Sequence, residues 1–182
     1  LNQGRKVLFS PKMSYLKGLE GKFLPVFWSP VHFPRQAGTM GLLCNTQHAA
    51  LRHFPTEMHS NWQWWSIVRH ARPFILNATR HEYKPLIQVV DNVERNHKLG
   101  LLFEFAVDNG KVLVCMSNLE AIRHTPEGGQ LRNAILSYMK SAEFSPTETL
   151  TSQQLQHILT TEVRKQDIVG VKNQSDYDVQ PE

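Results

Sequence analysis

The sequence predicts one layered α/β domain. Three observations predict it: an Asn-Gly pair between two β-rich runs, a short apolar run at residues 86–90, and two capped amphipathic patterns after residue 125. Strands mixed with helices bury their apolar faces as a sheet covered by helices. Strand order is not legible from such patterns.

In chain order, Gly4 reads as a left-handed C-cap followed by a short strand at residues 7–9. A helix ending at residue 3 would begin before residue 1. With Leu1 in place of Met, this gives the expectation of a piece cut from a longer chain. Residues 23–28 (FLPVFW) form an apolar stretch that Pro25 assigns to an edge strand or an extended loop. Residues 40–44 (MGLLC) are short enough for a strand or a loop, and residues 86–90 (LIQVV) read as a buried strand. Residues 99–107 and 111–116 flank Asp108-Asn109-Gly110, and Asn109-Gly110 predicts a hairpin turn with both central residues at positive φ. Leu101, Phe103 and Phe105 would then share one face. Thr125 caps a helix with Pro126 at its first position, and Leu131, Ile135, Tyr138, Met139 and Ala142 line one side until Ser145-Pro146 stops it. A last helix starts near Thr151 with Gln154 closing a capping box, and presents Leu155, Ile158, Leu159 and Val163. The predicted domain covers residues 1–166, and a polar tail covers 167–182.

The bulk numbers narrow the function classes. With 182 residues, 41% of them hydrophobic, the chain can build one core. A net charge of +4 with a pI near 9.2, spread without basic runs, gives no support to nucleic-acid binding. No apolar run approaches the ~20 residues that span a bilayer, and no signal peptide is visible. No membrane or nucleic-acid partner is therefore expected, and no cofactor. Cys44 and Cys115 sit in apolar contexts and make no disulfide framework.

The densest chemistry is HFPTEMHSNWQWW, residues 53–65. Ser60 and Gln63 fit a capping box, with a helix from residue 61 to about 72. At 100° per residue Trp64, Ile67, Val68 and Ala71 form a core stripe. Trp62 falls nearly opposite, beside Ser66 and Arg69, and Trp65 lies on the flank near Arg69 and Arg72. Three readings stay open for Trp62 and Trp65. The loop at residues 23–35, which carries Trp28, folds over them; or they dock on other parts of a larger chain; or they form a platform for a sugar ring, with Arg69, Glu57 and His59 taking its hydroxyls.

His48, His53, Glu57 and His59 have no metal-ligand spacing, and no metal is expected. Glu104, in an otherwise apolar run, needs a buried partner, and Arg132 or Lys111 would supply a structural ion pair. Ser10, Asn45, Asp91 and Ser117 stand near the ends of predicted strands and mark a candidate crevice.

The series FLPVFWSP, TMGLLCNTQHAALRHFPTEMHSNWQWW, PLIQVVDNVERNHKLGLLFEF, NGKVLVCMSNL and QLRNAILSYMKSAEFSP resembles the C-terminal region of bacterial glycoside hydrolases of family 2, the β-galactosidase-like group with a sugar-binding domain. The likeness covers roughly residues 4–146. It implies a flavodoxin-like or class I glutamine amidotransferase-like sheet flanked by helices. It also implies a carbohydrate-degrading parent enzyme whose catalytic barrel lies outside these residues, so no catalytic residue is carried over. Cys44 lacks the flanking glycines of an amidotransferase nucleophile elbow. The implied partners are the remaining domains of that glycosidase, a carbohydrate or a second copy of the chain, and the implied location is periplasmic or extracellular.

Overall fold

The structure is a computed structural model that describes residues 4–12, 22–23, 38–91 and 96–160. Its strands are β1 (Lys6–Phe9), β2 (Lys22–Phe23), β3 (Gly38–Thr39), β4 (Gly41–Cys44), β5 (Phe74–Ile75), β6 (Ile87–Val90), β7 (Lys98–Val107), β8 (Gly110–Cys115) and β9 (Thr149–Leu150). The helices are α1 (Trp65–Arg69), α2 (Pro126–Lys140) and α3 (Ser152–Thr160), with 3₁₀ turns at Ala49–Leu51 and Trp62–Trp64. This is a mixed α/β arrangement with a seven-stranded sheet.

The sheet runs β1-β8-β7-β6-β4, and β5 and β9 also pair with β7. β7 is ten residues long and apolar on both faces, so it is the central strand. It is antiparallel to β5, β6 and β8 and parallel to β9, while β1 runs parallel to β8. Between Ile87 and Gln88 the partner on β7 jumps from Leu102 to Gly100, which leaves Leu101 as a bulge. The bulge turns Gly100 onto the face of Phe103, and a Cβ at Gly100 would lie 2.5 Å from the Leu76 side chain.

One face, with Leu42, Cys44, Ile87, Val89, Leu102, Glu104 and Leu113, is covered by α2 and the Ala49–Leu51 turn. Lys6 and Lys111 pin the chain that leaves α2: Lys6 Nζ donates to the Met139 and Ser141 carbonyls, and Lys111 Nζ to the Phe144 carbonyl at 2.8 Å. The other face stacks Phe74 on Phe103, Phe103 on Phe105 and Phe105 on Tyr83. α3 packs beside β5 and β9.

The predicted hairpin forms, shifted by one residue. Val107 pairs with Gly110, so Asp108 and Asn109 make the turn, and the positive φ (50°) is at Asp108. Leu101, Phe103 and Phe105 are all buried, and the ladder to β8 runs without a shift from Leu102 to Val107. Thr125 caps α2 as expected, its hydroxyl accepting from Gly128 N at 3.0 Å. The helix ends at Lys140, five residues before the predicted stop, because the Ser141 hydroxyl and N–H both turn back to the Tyr138 carbonyl. Ala142 is therefore off the helix and exposed. The Thr151–Gln154 capping box is reciprocal, at 2.8 and 3.2 Å, and Leu155 and Ile158 are buried. Gly4 has the expected positive φ (70°). The helix expected before it, Trp28 with most of the loop at 23–35, Val163 and the polar tail lie outside the described residues.

Candidate functional site

Two surfaces gather unusual side chains. The first is built on the tryptophan segment. Ser60 does not cap the helix, because its hydroxyl accepts from Leu42 N at 3.2 Å. Asn61 takes the role, its side chain accepting from Gln63 N at 3.2 Å, and the Gln63 amide donates to the Pro55 carbonyl instead of reaching back. The helix stops at Arg69, short of residue 72, because Ala71 bridges to Ser117 and Arg72 N donates to the Met116 carbonyl. The predicted stripe holds: Trp64, Ile67, Val68 and Ala71 are all buried. Trp64 packs edge-on to Phe54 at 5.1 Å, and its indole N–H donates to Thr56 Oγ1 at 2.9 Å.

Trp62 is 81% exposed. It meets half-buried Trp65 edge to face, with ring centroids 6.3 Å apart, and the Arg69 guanidinium lies 5.8 Å from the Trp65 ring centre. Glu57 and His59 approach each other at 3.5 Å, and Glu57 accepts from Asn61 Nδ2 at 3.4 Å. The structure thus brings Trp62, Trp65 and Arg69 together and sets the Glu57–His59 pair beside them through Asn61. Leu43 bridges His59, and Cys44 N donates to the Met58 carbonyl, so the segment lies along β4. The exposed large apolar side chains among the described residues are Met40, Leu43, Met58 and Trp62, and all lie on or beside this edge.

The second surface is a split in the sheet. β6 leaves β7 at Leu102 and β9 joins it at Ala106, so the backbone of Glu104 has no strand partner on that edge. The Tyr83 hydroxyl takes the place of a strand: it donates to the Glu104 carbonyl at 3.0 Å and accepts from Glu104 N at 3.3 Å. A pocket of about 260 Å³ opens here, with Asn45, His48, Arg80, Tyr83, Glu104 and Glu148 in its wall. Arg80 grips the buried Glu148 carboxylate with both Nε and Nη2.

Glu104 is buried, and its carboxyl accepts from the Tyr138 hydroxyl at 2.9 and 3.1 Å. Burial pushes its pKa up to about 7, with the Tyr138 bond and the Lys111 charge pulling the other way. The expected pairing with Arg132 or Lys111 does not form. Arg132 is exposed, and the Lys111 ammonium is spent on the Phe144 carbonyl. His48 Nδ1 accepts from Ala50 N at 3.2 Å, which puts the ring proton of the neutral form on Nε2, 3.8 Å from Glu104 Oε1. Burial lowers the His48 pKa, against the pull of Glu143.

The crevice expected at Ser10, Asn45, Asp91 and Ser117 does not assemble. Ser10 and Ser117 meet, at 3.0 Å, because β1 and β8 are parallel. β4 and β6 are antiparallel, which puts Asn45 and Asp91 at opposite ends of their ladder. Asn45 joins the split-sheet pocket instead. Both cysteines are buried and free, with burial raising Cys44 to about 11 and Cys115 to about 12, so neither carries a reactive thiolate. Among the described residues no three His, Cys, Asp or Glu side chains gather as a metal site, and no helix is long and apolar enough to cross a membrane.

Sequence reasoning flagged Glu104 but missed the pocket around it. Arg80 and Glu148 are 68 residues apart and bear no local pattern. Only the isolated carboxylate in a β-rich run pointed there.

The sequence matches the family described as a domain of unknown function, DUF8487, over residues 1–160, and the chain belongs to that family. No curated protein matches it.

Proposed function

We propose that the chain is a non-catalytic module of a family 2, β-galactosidase-like glycosidase and packs against the rest of that enzyme through the β4 edge. The single observation carrying this reading is the apolar rim of Met40, Leu43, Met58 and Trp62. Large apolar side chains left exposed along one edge mark a contact, and tryptophan is enriched at the centre of contacts. The resemblance of HFPTEMHSNWQWW to family 2 enzymes supplies the partner. The finer likeness to a flavodoxin-like or class I amidotransferase-like sheet draws support from the parallel β1–β8 pair and the flanking helices, while the antiparallel β4, β6 and β7 pull against it.

The test is Trp62→Ala made twice, in the isolated chain and in the parent enzyme. Docking predicts an unchanged melting temperature in the first and a lowered one in the second. Equal melting temperatures in both would sink the docking reading. A second reading keeps a specific observation: Trp62, Trp65 and Arg69 cluster beside Glu57 and His59, the composition of a sugar platform. It predicts a shift of tryptophan fluorescence on adding galactose or mannose, lost in Trp62→Ala. A homo-oligomer built on the same rim would show in light scattering as a mass above 20.9 kDa that falls back with Trp62→Ala.

A further inference from the structure

The split in the sheet holds a carboxyl group that the fold does not use as an ion-pair partner. Glu104 is reached by one hydroxyl, from Tyr138, and by no cationic side chain in hydrogen-bond contact among the described residues. Lys111 is turned to the Phe144 carbonyl, and Arg80 is held by Glu148. His48 is held neutral by the N–H of Ala50 on one side and by burial on the other. Lys111 acts on Glu104 only through its field and not by contact; a buried carboxylate with no cation in contact costs free energy, and a cation placed beside it recovers part of that cost.

We infer that this pocket is a binding site for a small organic cation carrying a primary ammonium, seated on the Glu104 carboxylate beside the His48 ring. The volume, about 260 Å³, is near the lower end for ligand sites and suits an amine of a few heavy atoms. An anion is refused, because the wall carries three carboxyl groups, Glu82, Glu104 and Glu148, against two cations, Arg80 and Lys84, and Arg80 is already held by Glu148. A bare divalent ion is refused as well, since among the described residues no three His, Cys, Asp or Glu side chains gather as a ligand set. A neutral alcohol can donate one hydrogen bond to Glu104 but leaves its charge uncompensated. The site is separate from the β4 rim and does not depend on the docking reading.

The experiment follows amide resonances of the 182-residue chain while propylammonium chloride is added at pH 7.5 and constant ionic strength, with 1-propanol and sodium propionate as controls. Saturable shifts at Asn45, His48 and Glu104 are expected with the amine only. Glu104→Gln should weaken them at least tenfold, and Gln can still accept from Tyr138. Equal shifts with propanol, no saturation, or full affinity in Glu104→Gln would overturn the proposal. Should Glu104→Gln fail to fold, the pH dependence decides. The other ionisable groups facing the pocket are His48, Arg80, Glu82, Lys84, Tyr83 and Glu148, with Tyr138 and Lys111 behind Glu104. His48 Nε2 stands 3.8 Å from Glu104 Oε1, so affinity is compared at pH 5.5 and pH 8 in His48→Gln. Binding at least tenfold tighter at pH 8 supports the site, and flat binding overturns it.

Discussion

At the β4 edge an indole faces water, and in the middle of the sheet a carboxyl is buried. Trp62 is 81% exposed and Glu104 only 7%. Both depart from ordinary sorting, in opposite directions and with opposite energetics. An exposed indole gives up stabilisation that it would gain when covered, and costs the folded chain little. A buried carboxyl takes stability from the fold at every pH where it is charged. The comparison separates apolar surface left in water from a cost built into the core.

Trp64, two residues from Trp62, sharpens the first half most strongly. Its ring is fully buried and its N–H is satisfied, so Trp64→Ala should destabilise the chain by about 3–5 kcal/mol in denaturant unfolding. A loss below ~1 kcal/mol would break the assignment of its face.

Next in size is Glu104. Its folded pKa, near 7, lies above its unfolded value, so the protonated form is the one the fold favours. Its stabilising contribution is complete below pH ~4.5 and is lost as pH rises through 7, by roughly 3 kcal/mol in all. His48, lowered by burial, acts in the other sense, since its contribution is lost as pH falls. Unfolding curves of the wild type and Glu104→Gln between pH 5 and 8 isolate the difference. The variant should gain on the wild type by about that amount as pH rises, and a constant difference would refute the buried carboxylate.

Tyr83→Phe comes third. It strips the hydroxyl from two backbone groups of β7 and should cost about 1–3 kcal/mol. Amide exchange at Glu104 should accelerate, while exchange at Phe105, which pairs into β8, changes less.

The smallest effect belongs to Trp62→Ala in the isolated chain. A change within about 0.5 kcal/mol is expected for an exposed side chain whose ring contact, edge to face with Trp65, lies on the surface. A cost matching that of Trp64 would show the indole to be covered, and would erase the contrast with Glu104.

The legible parts of the fold were those decided by neighbours in sequence. Thr125 before Pro126 and Thr151 with Gln154 rest on contacts within a few residues and formed as read; the Trp64-Ile67-Val68-Ala71 stripe is buried as read, though Ala71 lies past the helix, bridged to Ser117. The misreadings came where a distant group competed. Leu42 N took the Ser60 hydroxyl, so Asn61 became the cap. Tyr138, 34 residues from Glu104, answered it instead of a charged side chain. The pairs β5–β7 and β9–β7 have two residues each, too few for any periodicity, and strand direction is set by partners that no local pattern names. The candidate crevice failed for that reason, since it assumed strand ends on one side and β4 and β6 run in opposition.

The parallel pairing of β1 with β8 also has a meaning in time. Lys6 sits opposite Lys111, so the first described strand to leave the ribosome cannot pair in the sheet until about a hundred further residues have been made. At ~5–20 residues per second, that is a delay on the order of ten seconds. Meanwhile β4, β6 and β7 emerge in sequence and can already pair with one another. β1 closes a sheet that has assembled without it, and during synthesis it is the segment most open to a chaperone.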